Sequence, residues 1–132
     1  LLSEKGINIL YLPRYESDKT YAEGLNNVFM PDRPVNGLDA CYYSNGVFTG
    51  AGTFAREAAC LGVPSFSFFL GAQLLAVDND LVKQSKMFYS RDPYLLVEKF
   101  IQSERRLADL NKAKAVNEEV MNKVVECIKK WL

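Results

Sequence analysis

The chain has 132 residues, enough for one compact domain and too few for two ordinary ones. Hydrophobic residues make up 48% and charged residues 24%, with 16 basic and 16 acidic side chains, which excludes a disordered chain and removes the net-charge case for a nucleic-acid or anionic-membrane partner. Histidine is absent, so the chain holds no Ser-His or Cys-His nucleophile pair and lacks the residue most zinc sites use.

In chain order, Leu1 to Lys5 reads as the end of a helix closed by Gly6, and an opening without methionine reads as a piece of something longer. Ile7 to Leu12 is an apolar run between Gly6 and Pro13, expected to be a strand buried on both faces. Pro13 to Asp18 is then a loop at that strand's carboxyl end, followed by a helix from about Thr20 to Asn26 and a short strand at Val28 to Met30. Val35 to Tyr43 places Leu38, Cys41 and Tyr42 at helical spacing, and Asn45-Gly46 ends that helix.

Gly46 to Thr49 reads as a third strand that runs into Gly50-Ala51-Gly52-Thr53, where Thr53 is expected to cap the next helix. Phe54 to Leu61 consists of strong helix formers, stopped by Gly62 and Pro64. A fourth strand follows at Ser65 to Leu70. Leu74 to Ser85 reads as a helix with Leu74, Val77, Leu81 and Val82 on its inner face, and a fifth strand spans Met87 to Tyr89. Asp92-Pro93 starts a further helix through Ile101, and the tail beyond Asn111 carries Val120, Val124, Ile128 and Trp131 on one helical stripe.

Alternating strands and helices with short connections predict an α/β fold, a Rossmann-like three-layer domain with an open parallel sheet. Residues 1–110 form that domain, and 111–132 a C-terminal helix packing on it or on a missing N-terminal domain. Ligands of such sheets sit at the carboxyl ends of the strands, so the loops at 13–18, 49–53 and 71–73 are expected to share one edge. Cys41, Cys60 and Cys127 lack a C-x-x-C spacing and read as reduced thiols of a cytoplasmic protein, with Cys60 in the core. The apolar region from Val63 to Val77 is broken by Pro64, Ser65, Ser67, Gly71 and Gln73, so it falls short of the roughly 20 apolar residues of a transmembrane span.

Gly50-Ala51-Gly52-Thr53-Phe54-Ala55 matches the G-x-G-x-x-G/A dinucleotide pattern. That reading also requires the turn to follow the first strand, and an acid about 20 residues on to hold the ribose. Two strands precede this turn, and the fourth strand ends in Leu70-Gly71-Ala72-Gln73 with no acid before Asp78. A P-loop is excluded because no Lys-Ser/Thr follows the glycines. What remains is a glycine turn feeding unpaired helix N–H groups, a geometry suited to pyrophosphate, with Glu57 one turn after Thr53 and placed to accept from ribose hydroxyls.

The stretch Asp39 to Pro64, DACYYSNGVFTGAGTFAREAACLGVP, resembles the donor-binding core in the carboxyl-terminal half of GT-B-fold glycosyltransferases and of UDP-N-acetylglucosamine 2-epimerases. With Leu12 to Glu16 (LPRYE) and Leu75 to Asp78, it is most similar to an archaeal and bacterial family of unknown function described as glycosyltransferase-like. The resemblance covers about residues 1–100. It implies that Gly50, Ala51, Gly52 and Thr53 contact the diphosphate of a nucleotide sugar, that Glu57 holds the ribose, and that Arg14 approaches the phosphates. Gln73 and Asp78 fall where related transferases contact the donor sugar, and Phe29 or Met30 against the base. The nucleotide-diphosphate sugar would be a substrate, with no cofactor and no metal, and any catalytic base would come from a missing N-terminal Rossmann-like domain. The histidine-bearing loop of the epimerases and their acid-rich stretch after the fourth strand are absent, which leaves three readings: a transferase half, an epimerase-like half, and a non-catalytic interaction domain.

Overall fold

The computed structural model describes residues 1–105 and 109–131. Two open parallel sheets carry the fold. β1 (Ile9–Leu10) pairs with β2 (Val28–Phe29), and β3 (Val47–Thr49), β4 (Ser65–Ser67) and β5 (Met87–Tyr89) form a three-stranded sheet with β4 central. The helices are α1 (Gly37–Tyr43), α2 (Gly52–Cys60), α3 (Ala76–Lys83), α4 (Pro93–Gln102) and α5 (Leu110–Lys129). This is the α/β fold with parallel strands expected from the sequence, its strands divided between two open sheets where one was expected.

The register explains the layers. Val47, Ser65 and Met87 share one face of the three-stranded sheet, and Phe48, Phe66 and Phe88 share the other. Against the first face lie Ala55, Ala58 and Ala59 of α2, which join Cys41 and Val63 on one side and Leu81 on the other to form the core. Such small side chains let α2 approach the sheet closely, and Ser65 Oγ donates a 2.7 Å hydrogen bond to the Ala55 carbonyl. Against the second face lies Phe100 of α4, edge-on to Phe48 and Phe66.

The caps follow the sequence at two helices. Asn36 accepts from the Leu38 and Asp39 amides, and Asp92, ahead of Pro93, accepts from the Tyr94 and Leu95 amides. Gly62 takes a left-handed φ of +72° just past α2, the conformation expected where a helix meets a proline stop.

Four expectations change. β1 is not buried on both faces: Leu10 is 47% exposed, because β1 pairs with β2 alone and sits outside the three-stranded sheet. The helix expected at Thr20 to Asn26 is a 3₁₀ helix at Glu16–Ala22, opened by Asp18, which accepts from the Tyr15 amide. Cys60 is exposed at the end of α2 and Cys41 is the buried thiol, because the inward positions of α2 are 55, 58 and 59. On α3 Leu81 and Val82 face the core as expected, whereas Val77 is exposed and Asp78 is buried in its stead.

The burial of Cys41, reinforced by the nearby Glu57 carboxylate, pushes its thiol up to about 11 from 9.0. The folded state therefore keeps this proton after the unfolded chain has lost it, so stability falls as pH rises from 9 towards 11. At pH 8, a thiol reagent should label Cys60 and Cys127 in the folded chain and reach Cys41 only on unfolding. Labelling of all three at equal rates would contradict this packing.

α5 carries Val120, Val124 and Ile128 on its exposed surface, and Trp131, just past its end, is 90% exposed. The expected C-terminal segment also includes Leu132, which, like 106–108 near the expected boundary, lies outside the described residues. No helix among the described residues is long and apolar enough to cross a membrane.

Candidate functional site

Because β3, β4 and β5 are parallel, the connections leaving them, at Gly50-Ala51, Phe68 to Leu75 and Ser90 to Asp92, lie at one edge of the sheet. The 13–18 loop follows β1 and belongs to the other sheet. β3 ends at Thr49, whose Oγ1 accepts a 2.9 Å hydrogen bond from the Ala51 amide and so shapes the turn. α2 then begins at Gly52 with Ala51 as its N-cap and no side chain closing the end. Thr53 is therefore not the cap. It sits one residue inside the helix with an exposed side chain, and the first turn keeps its N–H groups unclaimed by any cap side chain.

Each glycine of the turn admits a side chain of the protein itself. A Cβ on Gly50 would come within 3.1 Å of the Phe68 ring, and a Cβ on Gly52 within 2.6 Å of Arg56 Nη2. Arg56 leans back along α2, as long helical side chains do, and lies across Gly52. Its position is fixed from α3: Nε donates to Asp78 Oδ1 at 2.7 Å and Nη2 to Oδ2 at 3.0 Å. That two-point ion pair is the reason Asp78 is buried, and its hydrogen bond holds the Arg56 guanidinium above its ordinary pKa.

Glu57, the next residue, points the other way. Its Oε2 lies 4.0 Å from the point a Cβ would occupy on Gly37, at the start of α1, and the side chain is half-buried. It makes no hydrogen bond or ion pair with another described residue. Gln73 is exposed in the loop after β4. That loop is pinned from the loop after β5, where Arg91 Nη2 donates to the Gly71 carbonyl at 2.6 Å and Tyr89 Oη donates to the Phe69 carbonyl at 3.2 Å. Arg14 is exposed, its guanidinium 5.5 Å from the Tyr15 ring, and Phe29 is exposed on β2.

The structure thus places Gly50, Ala51, Gly52 and Thr53 at the turn into α2, sets Asp78 against Gly52 through Arg56, turns the Glu57 carboxylate towards Gly37, and leaves Gln73 and Arg14 exposed on separate loops. A family model described as a protein of unknown function (DUF354) matches residues 1–131. The chain belongs to the DUF354 family. It is also similar to an uncharacterized protein of Methanocaldococcus jannaschii, MJ0665, at 32% identity over 85 residues. That match covers 64% of this chain and 24% of the relative, so the chain spans about a quarter of the relative it matches. No solved structure matches.

Two site features of this DUF354 chain escape a reading by motif. Arg56 is passed over by the G-x-G-x-x-A pattern, and the signal that could have found it is its place one turn after Gly52. Phe68 lies at the end of an apolar run and reads as strand, although its ring covers Gly50.

Proposed function

We propose that the chain is the donor-binding half of a GT-B-like glycosyltransferase that takes a nucleotide-diphosphate sugar. The observation that carries this reading is the uncapped start of α2 at the carboxyl edge of β3, followed in the same helix by a half-buried Glu57 that makes no hydrogen bond or ion pair with another described residue. A diphosphate on the Gly50 to Thr53 turn meets the amide groups of the first turn and the positive end of the helix dipole. Glu57 accepts from the ribose hydroxyls, and Gln73 reaches the sugar from the pinned loop after β4. Charge building on the leaving nucleoside diphosphate is stabilised at the same turn. Arg14 approaches the phosphates from the end of β1. The catalytic base belongs to a further domain of the whole protein, and the exposed stripe of α5 faces that domain.

The test is a titration of the whole protein with uridine, guanosine and cytidine diphosphates, observed at the amides of residues 50–57. One of the three should shift these signals, and Glu57→Gln should weaken its binding about tenfold or more, the range for losing a hydrogen bond to a charged group. Unmoved amides at millimolar ligand would leave the glycines serving only the turn, as in an interaction domain. Unchanged affinity in Glu57→Gln would remove the ribose role. Turnover of the donor with and without acceptor then separates a transferase from an epimerase.

A further inference from the structure

We propose that Arg56 is the side-chain donor of the diphosphate site and that Asp78 is its positioning residue, acting on the site through Arg56. The inference rests on the donor-site reading above and adds to it a cation that reaches the turn from within α2 itself.

The apolar pattern of α3 favours Val77 inward, yet the fold exposes Val77 and buries Asp78. Burying a carboxylate is unfavourable unless its oxygens are satisfied, so this inversion holds only because Arg56 meets both of them. The pair spans 22 residues and joins the first turn of α3 to the start of α2. Neither of these helix starts has a side-chain cap, in contrast to α1 and α4. The guanidinium–carboxylate pair thus adds to the packing of Ala55 and Ala59 against Leu81 in setting α2 on α3, and no side chain caps the opening turn of α2.

The two bonds to Asp78 use Nε and Nη2. Nη1 lies 3.6 Å from the point a Cβ would occupy on Gly52 and makes no hydrogen bond with another described residue. Arg56 retains some exposure, at 28% of its side chain, so solvent reaches it while Asp78 is closed off. A planar guanidinium held on one edge by a carboxylate offers its remaining N–H groups in a fixed direction, the arrangement that suits phosphate oxygens. Gly52 is the residue that permits it. Alanine there would push Nη2 away, and the grip of buried Asp78 stops the guanidinium from swinging clear.

The test compares two ligands in the whole protein: the nucleoside diphosphate bound best by wild type, among those of uridine, guanosine and cytidine, and the corresponding nucleoside, which lacks the phosphates. Arg56→Lys keeps the charge and loses the fork, and Asp78→Asn loosens the fork. Each should weaken the diphosphate about tenfold and leave the nucleoside within about twofold. Asp78→Asn should add nothing further in an Arg56→Gln background, since its effect runs through the arginine. The paired replacement Arg56→Met with Asp78→Leu, which strands no charge, should give the same selective loss and serves if a single ion-pair variant fails to fold. Equal weakening of diphosphate and nucleoside, undiminished diphosphate binding in Arg56→Lys, or additive losses in the double variant would overturn the proposal. A wild-type protein that binds none of the three diphosphates would instead overturn the donor-site reading beneath it.

Discussion

Arg56→Ala is expected to lower the stability of the domain by about 1–3 kcal/mol, the range for leaving a buried polar group without its hydrogen bonds. The asymmetry of burial sets the size. Asp78 is 5% exposed and its carboxylate meets two guanidinium nitrogens, whereas the arginine side chain is 28% exposed, so its deletion removes both hydrogen bonds and lets water replace only part of them. Had both partners been exposed, the same change would cost under about 1 kcal/mol. Replacing the pair together, as Arg56→Met with Asp78→Leu, removes the stranded charge and should recover most of the loss, because well-packed apolar pairs match or exceed buried ion pairs in stability. Denaturant unfolding of the three proteins distinguishes the cases. A loss below about 1 kcal/mol for Arg56→Ala would mean that Asp78 finds water or another donor, and the clamp between α2 and α3 would not exist.

This pair also marks where the sequence stops being informative. Local rules place α2 and α4 well, since Gly62, Pro64, Asp92 and Pro93 act through nearest neighbours on their own segments. The three central strands and their parallel order follow from alternation with helices. Periodicity on α3 selects Val77 as the inward residue because it weighs each side chain alone, and the arginine that makes Asp78 the better choice is 22 residues away. Cys41 and Cys60 are chemically alike, and which is buried depends on the faces that α1 and α2 turn to the core: Cys41 packs with Ala58 and Val63, whereas Cys60 ends α2 outside positions 55, 58 and 59. β1 looked like an interior strand because its composition is apolar, whereas its burial depends on what lies beside it. At the site, the turn and its neighbours at 50–53 and 57 were legible as a contiguous motif. Arg56 and Phe68 were not, because their roles arise from lying over the glycines, which is a property of the folded turn.

Phe66→Ala is expected to cost about 3–5 kcal/mol, the range for truncating a buried phenylalanine. Phe66 is 3% exposed on the central strand, and in register it stands between Phe48 on β3 and Phe88 on β5. Its ring stacks on Phe48 at 4.7 Å and meets Phe88 and Phe100 edge-on at 6.4 and 5.9 Å. Truncation opens a space that the neighbours cannot easily fill, because two of them are fixed by strand pairing and the third is carried by α4. Phe66→Leu, which keeps most of the volume, should cost clearly less. The row lies on the face of the sheet away from α2, so the two effects separate. At temperatures well below its midpoint, Phe66→Ala should keep the diphosphate response of the amides at 50–57, whereas Arg56 variants should need about tenfold more ligand for it while still folded. A cost under about 1.5 kcal/mol would show that α4 collapses onto the gap. Loss of the ligand response in folded Phe66→Ala would show that the two faces of the sheet are coupled, and that the turn depends on more than its clamp to α3.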